Sequence, residues 1–329
     1  MLNEQGHSRN TLLYEKFELF IIHNFSVKTV VGVVGGRYIS GNLAESYDTF
    51  ETIGNGKCNV ANFPVKISGT PQMFMHANQI LVCGGYQDSN RSPECYRYER
   101  YRWKHYNTMH QKRTYAVGVQ SDYGYFVFGG DTSPSTSEYL PKNSNQWKSG
   151  PYIDGGINGG CGVSLPDGSI FLIGGKGNHT RKRFLKYDDP RSGNPTTYTN
   201  ELAHGRYGAR CIYFNNKILI TGGNDGEWYD CDRRHTVRTE IFDFSNNNFI
   251  IRRGGPFNER RSWHGIGIMN INDQPTVVAF GGACGNNWLR SVEIWDDKNE
   301  IWKLASYIQL SEKKHDFGFA SVPYDVSCS

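Results

Sequence analysis

The sequence predicts an all-β protein built from six copies of one strand-rich unit. Six apolar runs each end in two glycines, and the first glycines of successive runs lie 49, 45, 45, 48 and 59 residues apart. Glycine is frequent, at 38 of 329 residues, yet it has no collagen-like period. Repeats of this length, rich in strands and turns, indicate a β-propeller, in which all the units share one closed domain.

The apolar runs are predicted to be strands that are covered on both faces. They are Val30–Gly36, Ile80–Gly85, Tyr125–Gly130, Ile170–Gly175, Ile218–Gly223 and Val277–Gly282. A continuous apolar run without alternation is typical of a strand with both faces buried. Paired glycines permit positive φ and close backbone contact, so we predict structural roles for both members of each pair. These glycines are Gly35, Gly36, Gly84, Gly85, Gly129, Gly130, Gly174, Gly175, Gly222, Gly223, Gly281 and Gly282.

Each run is followed by a variable polar loop and then by a predicted strand with an acidic and an aromatic residue. The pairs are Glu45 and Tyr47, Glu94 and Tyr96, Glu138 and Tyr139, Glu240 and Phe242, and Glu293 and Trp295. An aromatic residue then opens another strand, at Trp103, Trp147, Tyr198, Phe249 and Trp302. Because Glu45, Glu94, Glu240 and Glu293 recur at one repeat position, we predict that they are structural.

A basic residue precedes the small, alternating strand of several units. It is Arg113, Arg206 or Arg261 in three of them. Its recurrence predicts a bond between blades, and its chemistry equally suits contact with a ligand, so both roles stay open at this point.

These marks together resemble the kelch repeat family over roughly Val30–Val322. The resemblance implies a six-bladed propeller with four strands in each blade, numbered outward from the axis. The fourth repeat departs from the pattern, because Lys186 and Tyr187 replace the acidic pair and Tyr198 replaces tryptophan. The first repeat lacks a clear late tryptophan. These departures affect the strand boundaries in those repeats rather than the fold.

The ends of the chain predict how the propeller closes. His315–Val322 looks like an inner strand, but no double glycine follows it, and the first repeat has no equally clear inner strand before Val30. We predict that the C-terminal strand completes the first blade and removes the free edges. Leu19–Phe25 is the alternative. The predicted domains are an N-terminal extension, 1–27, the propeller, 28–325, and a tail, 326–329.

Motifs of common enzymes are absent from the sequence. It contains no Gly-x-Ser-x-Gly, Cys-x-x-Cys or His-Glu-x-x-His pattern. His264 and His315 open two predicted inner strands and are interpreted as polar rim residues, since a metal needs further ligands. We therefore expect no catalytic residue, cofactor or metal. The sialate mutarotases are also kelch propellers, so a carbohydrate-binding protein or mutarotase-like enzyme using the central pocket stays open as an alternative.

The cysteines and the apolar segments bear on location. Cys83, Cys161 and Cys211 lie in predicted strands and are interpreted as free core residues. Cys231 and Cys284 fall in loops after double glycines, where a disulfide is geometrically feasible. The sequence has neither a membrane-length apolar run of roughly 18 residues nor a secretory signal pattern. A cytoplasmic location is the expectation, and an extracellular kelch module, marked by a Cys231–Cys284 disulfide, is the alternative.

The kelch resemblance places the variable loops on one face of the propeller. This face, which we call the loop face, holds the loops after the double glycines and those before the inner strands; the opposite side is the turn face. Its longest loop is Asn224–Thr239. Arginine and aromatic residues are enriched there and at binding hot spots in general. The predicted binding residues are Arg37, Tyr38, Tyr86, Arg91, Arg113, Arg181, Arg206, Trp228, Arg233, Arg234, Arg261 and Trp288.

Charge and family resemblance together predict the partner. The net charge of +4 permits an acidic partner, and the chain has no nucleic-acid motif or membrane segment. Substrate-adaptor kelch proteins bind acidic turns through the loop face, which implies a protein or acidic peptide as the partner of this chain. Those adaptors normally carry a BTB domain that binds a cullin ligase, and Met1–Thr29 is too short for one. We expect an interaction module, acting as a scaffold or adaptor related to ubiquitin-ligase substrate recognition.

Overall fold

The computed structural model describes residues 29–40, 43–53, 60–176, 182–191, 193–198, 201–224, 237–244 and 250–323. Every strand or helix assigned within these ranges is a β-strand. The all-β prediction is therefore confirmed for the part of the chain that is described. Within the same residues, no helix has the length and apolarity needed to cross a membrane. The predicted extension and tail fall outside these ranges and remain predictions.

Six antiparallel sheets carry the six apolar runs, and each sheet extends outward from an innermost strand. From the inside outward, sheet 1 contains β30 (Gly318–Pro323), β1 (Thr29–Val34) and β4 (Phe50–Ile53). Sheet 2 contains β6 (Gln72–His76), β7 (Gln79–Cys83), β10 (Glu94–Glu99) and β11 (Arg102–Thr108). Sheet 3 contains β12 (Val117–Ser121), β13 (Gly124–Phe128), β14 (Ser137–Pro141) and β15 (Lys148–Ser149).

The remaining three large sheets follow the same order. Sheet 4 contains β16 (Cys161–Ser164), β17 (Ile170–Ile173), β18 (Phe184–Tyr187) and β19 (Thr196–Tyr198). Sheet 5 contains β20 (Arg210–Phe214), β21 (Lys217–Thr221), β22 (Thr239–Asp243) and β23 (Ile250–Gly254). Sheet 6 contains β24 (Gly265–Ile271), β25 (Gln274–Phe280), β28 (Ser291–Asp296) and β29 (Ile301–Gln309).

Loop segments form three smaller sheets. They are β2 (Arg37–Ser40) with β3 (Leu43–Ser46); β5 (Ile67–Ser68) with β8 (Tyr86–Gln87) and β9 (Asn90–Arg91); and β26 (Ala283–Cys284) with β27 (Asn287–Trp288). Strands β2, β8 and β26 each begin directly after a double glycine, so these small sheets give regular structure to the variable loops.

The apolar runs form the second strand of each large sheet and pair on both sides. In β13, for example, every residue is buried between β12 and β14. All twelve glycines of the double-glycine pairs have positive φ, from 58° to 108°. At Gly129 an added Cβ would lie 2.0 Å from the carbonyl oxygen of Ile157, so no larger residue fits the turn.

The inner strands contact one another in a cycle. The order is β6, β12, β16, β20, β24, β30 and back to β6. Strand β30 also pairs antiparallel with β1, so that Val322 lies opposite Val30. Apolar clusters fill the spaces between neighbouring sheets, as where Phe74 and Leu81 of sheet 2 meet Tyr125 and Val127 of sheet 3. The arrangement is propeller-like, with the sheets around a central axis.

A ring of backbone hydrogen bonds surrounds this axis. Each connection into an inner strand donates one amide hydrogen to a carbonyl of the preceding connection. The donors, which we call the axial ring, are Thr70, Tyr115, Gly159, Gly208, Trp263 and Asp316. All six have φ between 51° and 65°. Four of them are not glycine, and side chains in this backbone region are costly and are concentrated at functional sites.

The structure corrects the prediction that Cys83, Cys161 and Cys211 are free. All three are buried, but Cys83 is bonded to Cys95 and Cys161 to Cys211. Cys83 and Cys95 lie directly opposite each other on β7 and β10, with Cα atoms 4.1 Å apart. The second disulfide joins the inner strands of sheets 4 and 5. Sequence position alone did not reveal these neighbours, because each pair forms only when separate strands come together.

A third disulfide involves Cys284. Cys231, its predicted partner, lies outside the described residues. The Cys231–Cys284 pairing therefore stays a prediction.

Candidate functional site

The recurring arginines are buried parts of the sheets. The Nη2 atom of Arg261 lies 2.8 Å from Oε1 of Glu293, and its Nη1 donates to the carbonyl oxygens of Gly281 and Ser291. The same pattern joins Arg113 to Glu138 and Gly129, and Arg206 to Glu240 and Gly222. The three arginine side chains are at most 1% exposed. Burial lowers the pKa of Arg261, and the Glu293 carboxylate opposes that shift.

This burial corrects the prediction that Arg113, Arg206 and Arg261 contact a partner. Their guanidinium groups are enclosed and already bonded, so a partner on the surface cannot reach them. The bonds also lie within a sheet rather than between blades. Each arginine precedes an inner strand and binds the double-glycine turn and third strand of the sheet that it enters.

The glutamates of these pairs fix the connections as well. Glu293 accepts hydrogen bonds from the amides of Asn258 and Glu259, which lead into sheet 6. In sheet 1, Lys314 and Glu51 form the corresponding pair, and the lysine side chain is 1% exposed. The sequence could have indicated that Lys314 takes the position of the buried arginines. It precedes Gly318 by four residues, the same interval that separates Arg261 from Gly265.

Three predicted binding residues meet on the exposed surface. Arg37 opens β2, Tyr86 opens β8 and Arg91 ends β9. The Cζ atoms of Arg37 and Arg91 lie 5.7 and 5.5 Å from the ring centroid of Tyr86. Tyr115 of the axial ring packs edge-on against Tyr86, at 6.3 Å between centroids. These four residues, which we call the Tyr86 cluster, place two cations within 6 Å of one aromatic ring.

The two arginines of the Tyr86 cluster differ in their charge partners. Arg91 forms a hydrogen-bonded ion pair with Oδ2 of Asp131 at 2.7 Å, which raises the pKa of Arg91. Arg37 approaches Oδ2 of Asp316 only to 3.9 Å, and its side chain is 32% exposed. Within the described residues, the Arg37 guanidinium has no shorter ion pair. Arg37 is therefore the cation of the cluster that can bond an added carboxylate.

Asp316 is the buried carboxylate next to Arg37. Its side chain is fully buried, and its Oδ2 accepts a 3.4 Å hydrogen bond from the hydroxyl of Tyr115. Burial favours the neutral acid, but the neighbouring His315, and after it the charges of Arg37 and Arg210, outweigh burial and hold the pKa of Asp316 below its usual value. Burial, reinforced by the Asp316 charge, raises the pKa of Tyr115, so this hydroxyl stays protonated as a donor.

Trp288 lies close to Asp316, with His315 between them. Its ring packs edge-on against His315, at 4.3 Å between centroids, and His315 Nδ1 is 3.3 Å from Asp316 Oδ1. Trp288 lines a groove of about 450 Å³ together with Tyr47, Asn286, Asn287, Arg290, Glu312 and Lys313. The structure thus brings Arg37, Tyr86, Arg91 and Trp288 to one side of the axis.

Other predicted site residues lie beyond what the structure describes. Arg181, Trp228, Arg233 and Arg234 fall in undescribed ranges, and only the backbone of Tyr38 is described. His264 is not the polar rim residue that the sequence indicated, because it is fully buried and its Nε2 bonds Thr221 Oγ1 at 3.0 Å. In the described ranges, no three or more acidic, cysteine or histidine side chains are placed together to hold a metal ion.

No protein-family model matches the chain, and no curated protein sequence matches it. Among solved structures, the structure of YjhT is similar, with a TM-score of 0.64 and 12% sequence identity. The alignment covers 79% of this chain and 89% of that chain. At this identity the likeness shows a shared fold and carries nothing about activity.

Proposed function

We propose that this chain is a six-bladed kelch β-propeller, closed by its C-terminal strand, that binds another protein through its loop face. The fold part is supported by the repeated double-glycine turns, the cyclic contacts of the inner strands and the pairing of β30 with β1. The Leu19–Phe25 alternative for closure falls outside the described residues.

One observation carries the binding proposal, namely the environment of Arg37. Its guanidinium lies against the Tyr86 ring and is partly exposed, and among the described residues no carboxylate is nearer to it than 3.9 Å. An arginine held by an aromatic ring is preorganised for a two-pronged bond to a carboxylate. The ligand that suits it is an acidic segment of a partner protein, with Trp288 and its groove beside it for an apolar side chain.

The disulfides bear on where this binding takes place. Disulfides form and persist in oxidising compartments and are rare in the cytosol. The Cys83–Cys95 and Cys161–Cys211 bonds therefore favour an extracellular interaction module over the cytoplasmic scaffold or ligase adaptor that the resemblance implied. Mass spectrometry of the protein from its native cells, alkylated before reduction, distinguishes them. Labelled thiols at Cys161 and Cys211 would support the cytoplasmic location.

Selection from a displayed peptide library tests the binding proposal. We expect the loop face to select peptides with clustered aspartate or glutamate, and the affinity of a selected peptide to fall as salt increases. Arg37→Gln should weaken that peptide at least tenfold. Arg102→Gln, on the outer strand β11, is the matched control and should leave the affinity unchanged. Equal binding by both variants would contradict the proposal.

A further inference from the structure

A channel runs along the axis beneath the axial ring. It contains a cavity of about 180 Å³ lined by residues of all six inner strands. Gly118, Gly162, Cys211 and Ile212 line both this cavity and a wider space of about 620 Å³. The wider space reaches the turns at Asp122 and Pro166, so the channel is open to the turn face.

Trp263 covers the opposite end of the channel. Its indole is 3% exposed and lies over Gly159 and Gly208, where an added Cβ would approach ring atoms to 2.5 and 2.7 Å. Tyr115 packs beside it, with ring centroids 5.1 Å apart. A ligand of the cavity would therefore enter from the turn face, away from the Tyr86 cluster.

Arg210 lies in the wall of the inner cavity. It is the first residue of β20 and is only 8% exposed. Its Nε donates to the carbonyl oxygen of His264 at 2.9 Å, and its Nη1 to that of Ala209 at 3.2 Å. Among the described residues, no carboxylate forms an ion pair with this guanidinium, and Nη2 has no hydrogen-bond acceptor.

This environment is unusual for a buried charge. A buried guanidinium without a carboxylate is costly, because desolvation is not offset by a close opposite charge. Asp316 acts on Arg210 only at longer range, and burial lowers the pKa of Arg210 to about 10. The group therefore remains a cation at neutral pH, with one nitrogen still able to donate.

The rest of the cavity wall fits the body of a small organic acid. Ile266 and Phe319 offer apolar surface, and Cζ of Arg210 lies 5.5 Å from the Phe319 ring centroid. The Ser321 hydroxyl accepts the amide hydrogen of Ile268 at 2.8 Å, which leaves its own hydrogen to donate. A cavity of roughly 150 Å³ accommodates benzene, so an acid of that size fits in this one.

We propose that the central channel binds a small organic carboxylate, which enters from the turn face and is held by Arg210. The planar guanidinium offers its fork to the carboxylate, and the apolar wall takes the hydrocarbon part. This site is separate from the loop-face site, and either proposal stands without the other.

Calorimetric titration of the full chain with benzoate, acetate and sulfate tests this site. We expect benzoate to bind more tightly than acetate, and sulfate to bind weakly or not at all. Arg210→Met should weaken benzoate at least tenfold. Arg102→Gln, on the outer strand β11, is the control and should bind benzoate as the wild type does.

A second variant covers the case in which Arg210→Met does not fold. Ile212→Trp fills the channel but leaves the Arg210 bonds in place, and it should abolish benzoate binding while the thermal transition remains. The proposal is overturned if benzoate does not bind the wild type, or if its binding survives Ile212→Trp. Sulfate binding as tightly as benzoate would overturn the assignment to a carboxylate.

Discussion

Arg261 and Arg210 are two buried arginines whose charges both act on His264, and they are accommodated differently. Arg261 has a carboxylate partner in Glu293 and bonds to carbonyl oxygens of its own sheet. Arg210 has only the carbonyl oxygens of Ala209 and His264 within hydrogen-bonding distance in the described structure. Arg261 is a structural residue of its sheet, whereas Arg210 has a nitrogen that donates no hydrogen bond to any described residue.

Their recurrence differs in the same way. The Arg261 position is also arginine before sheets 3 and 5 and lysine before sheet 1. The positions equivalent to Arg210, two residues after each axial-ring residue, are Gln72, Val117, Cys161, Gly265 and Gly318. A buried charge that recurs around the axis indicates a structural role, whereas one that occurs at a single position indicates a specific role such as binding.

The largest expected effect comes from breaking the Arg261 pair. Glu293→Ala removes the buried carboxylate of this pair and leaves Arg261 only the exposed carboxylate of Glu259, 3.3 Å away, and we expect a loss of about 3–5 kcal/mol in the free energy of unfolding. Chemical denaturation measures this loss. Replacing both partners, as Arg261→Met with Glu293→Gln, should recover part of it, because the glutamine oxygen still accepts from the connection that leads into sheet 6. Arg210→Met should cost less than Glu293→Ala because it strands no close partner. Equal losses of unfolding free energy for Glu293→Ala and Arg210→Met would contradict the distinction drawn between the two arginines.

The next effect concerns the disulfide beside Arg210. Cys161 and Cys211 close a separation of 50 residues, against 12 for Cys83 and Cys95. Replacing Cys161 and Cys211 by serine should cost about 2–4 kcal/mol, because longer closed loops restrict the unfolded chain more. The double serine variant of Cys83 and Cys95 should lose less stability, as measured by thermal unfolding. The reverse order would show that local strain, not loop length, decides.

His264, which lies close to both arginines, makes the stability of the fold depend on pH. Burial, followed by the charges of Arg210 and Arg261, lowers the pKa of His264 well below its usual value. The unfolded state then binds the extra proton first, so stability is present above pH 6.5 and declines below it. We expect a loss of up to about 1.4 kcal/mol per pH unit from this group. Denaturation at pH 7.5 and 5.5 measures it, and His264→Gln should flatten the dependence.

The smallest effect concerns the exposed Arg91–Asp131 pair. Asp131→Asn should change stability by less than about 1 kcal/mol, because exposed ion pairs contribute little. The same change frees Arg91 beside Arg37, so an acidic peptide selected on the wild type should bind more tightly. Fluorescence anisotropy with that peptide measures the change. Unaltered affinity would place the peptide away from the Tyr86 cluster.

The repeated part of this molecule was readable from sequence because its causes are local. A double glycine after an apolar run reports a backbone turn with positive φ, and all six turns have it. Recurrence also marked four glutamates as structural, and the buried bonds of Glu240 and Glu293 agree with that interpretation. Glu94 differs, because its side chain is 35% exposed and pairs with His105 on the neighbouring outer strand.

The parts that sequence could not predict depend on neighbours from separate strands. Arginine is a typical hot-spot residue, and nothing in the sequence around Arg113 shows that a glutamate encloses it. The Tyr86 cluster draws on loops of three sheets, and Arg210 becomes notable only once its surroundings are seen to lack a carboxylate. The disulfide of Cys83 and Cys95 likewise follows from strand register, which no spacing rule fixed.

The pairing of β30 with β1 affects the order in which the sheets can be completed during synthesis. During synthesis β1 leaves the ribosome early, yet its inner neighbour, Gly318–Pro323, is among the last described residues to appear. Until then sheet 1 lacks its axial strand, the hydrogen-bonded ring lacks Asp316, and Val31 and Val33 lack the partner Phe317. We therefore expect the other five sheets to be able to form before sheet 1 is complete, and the cycle of inner strands to be completed only when β30 pairs with β1.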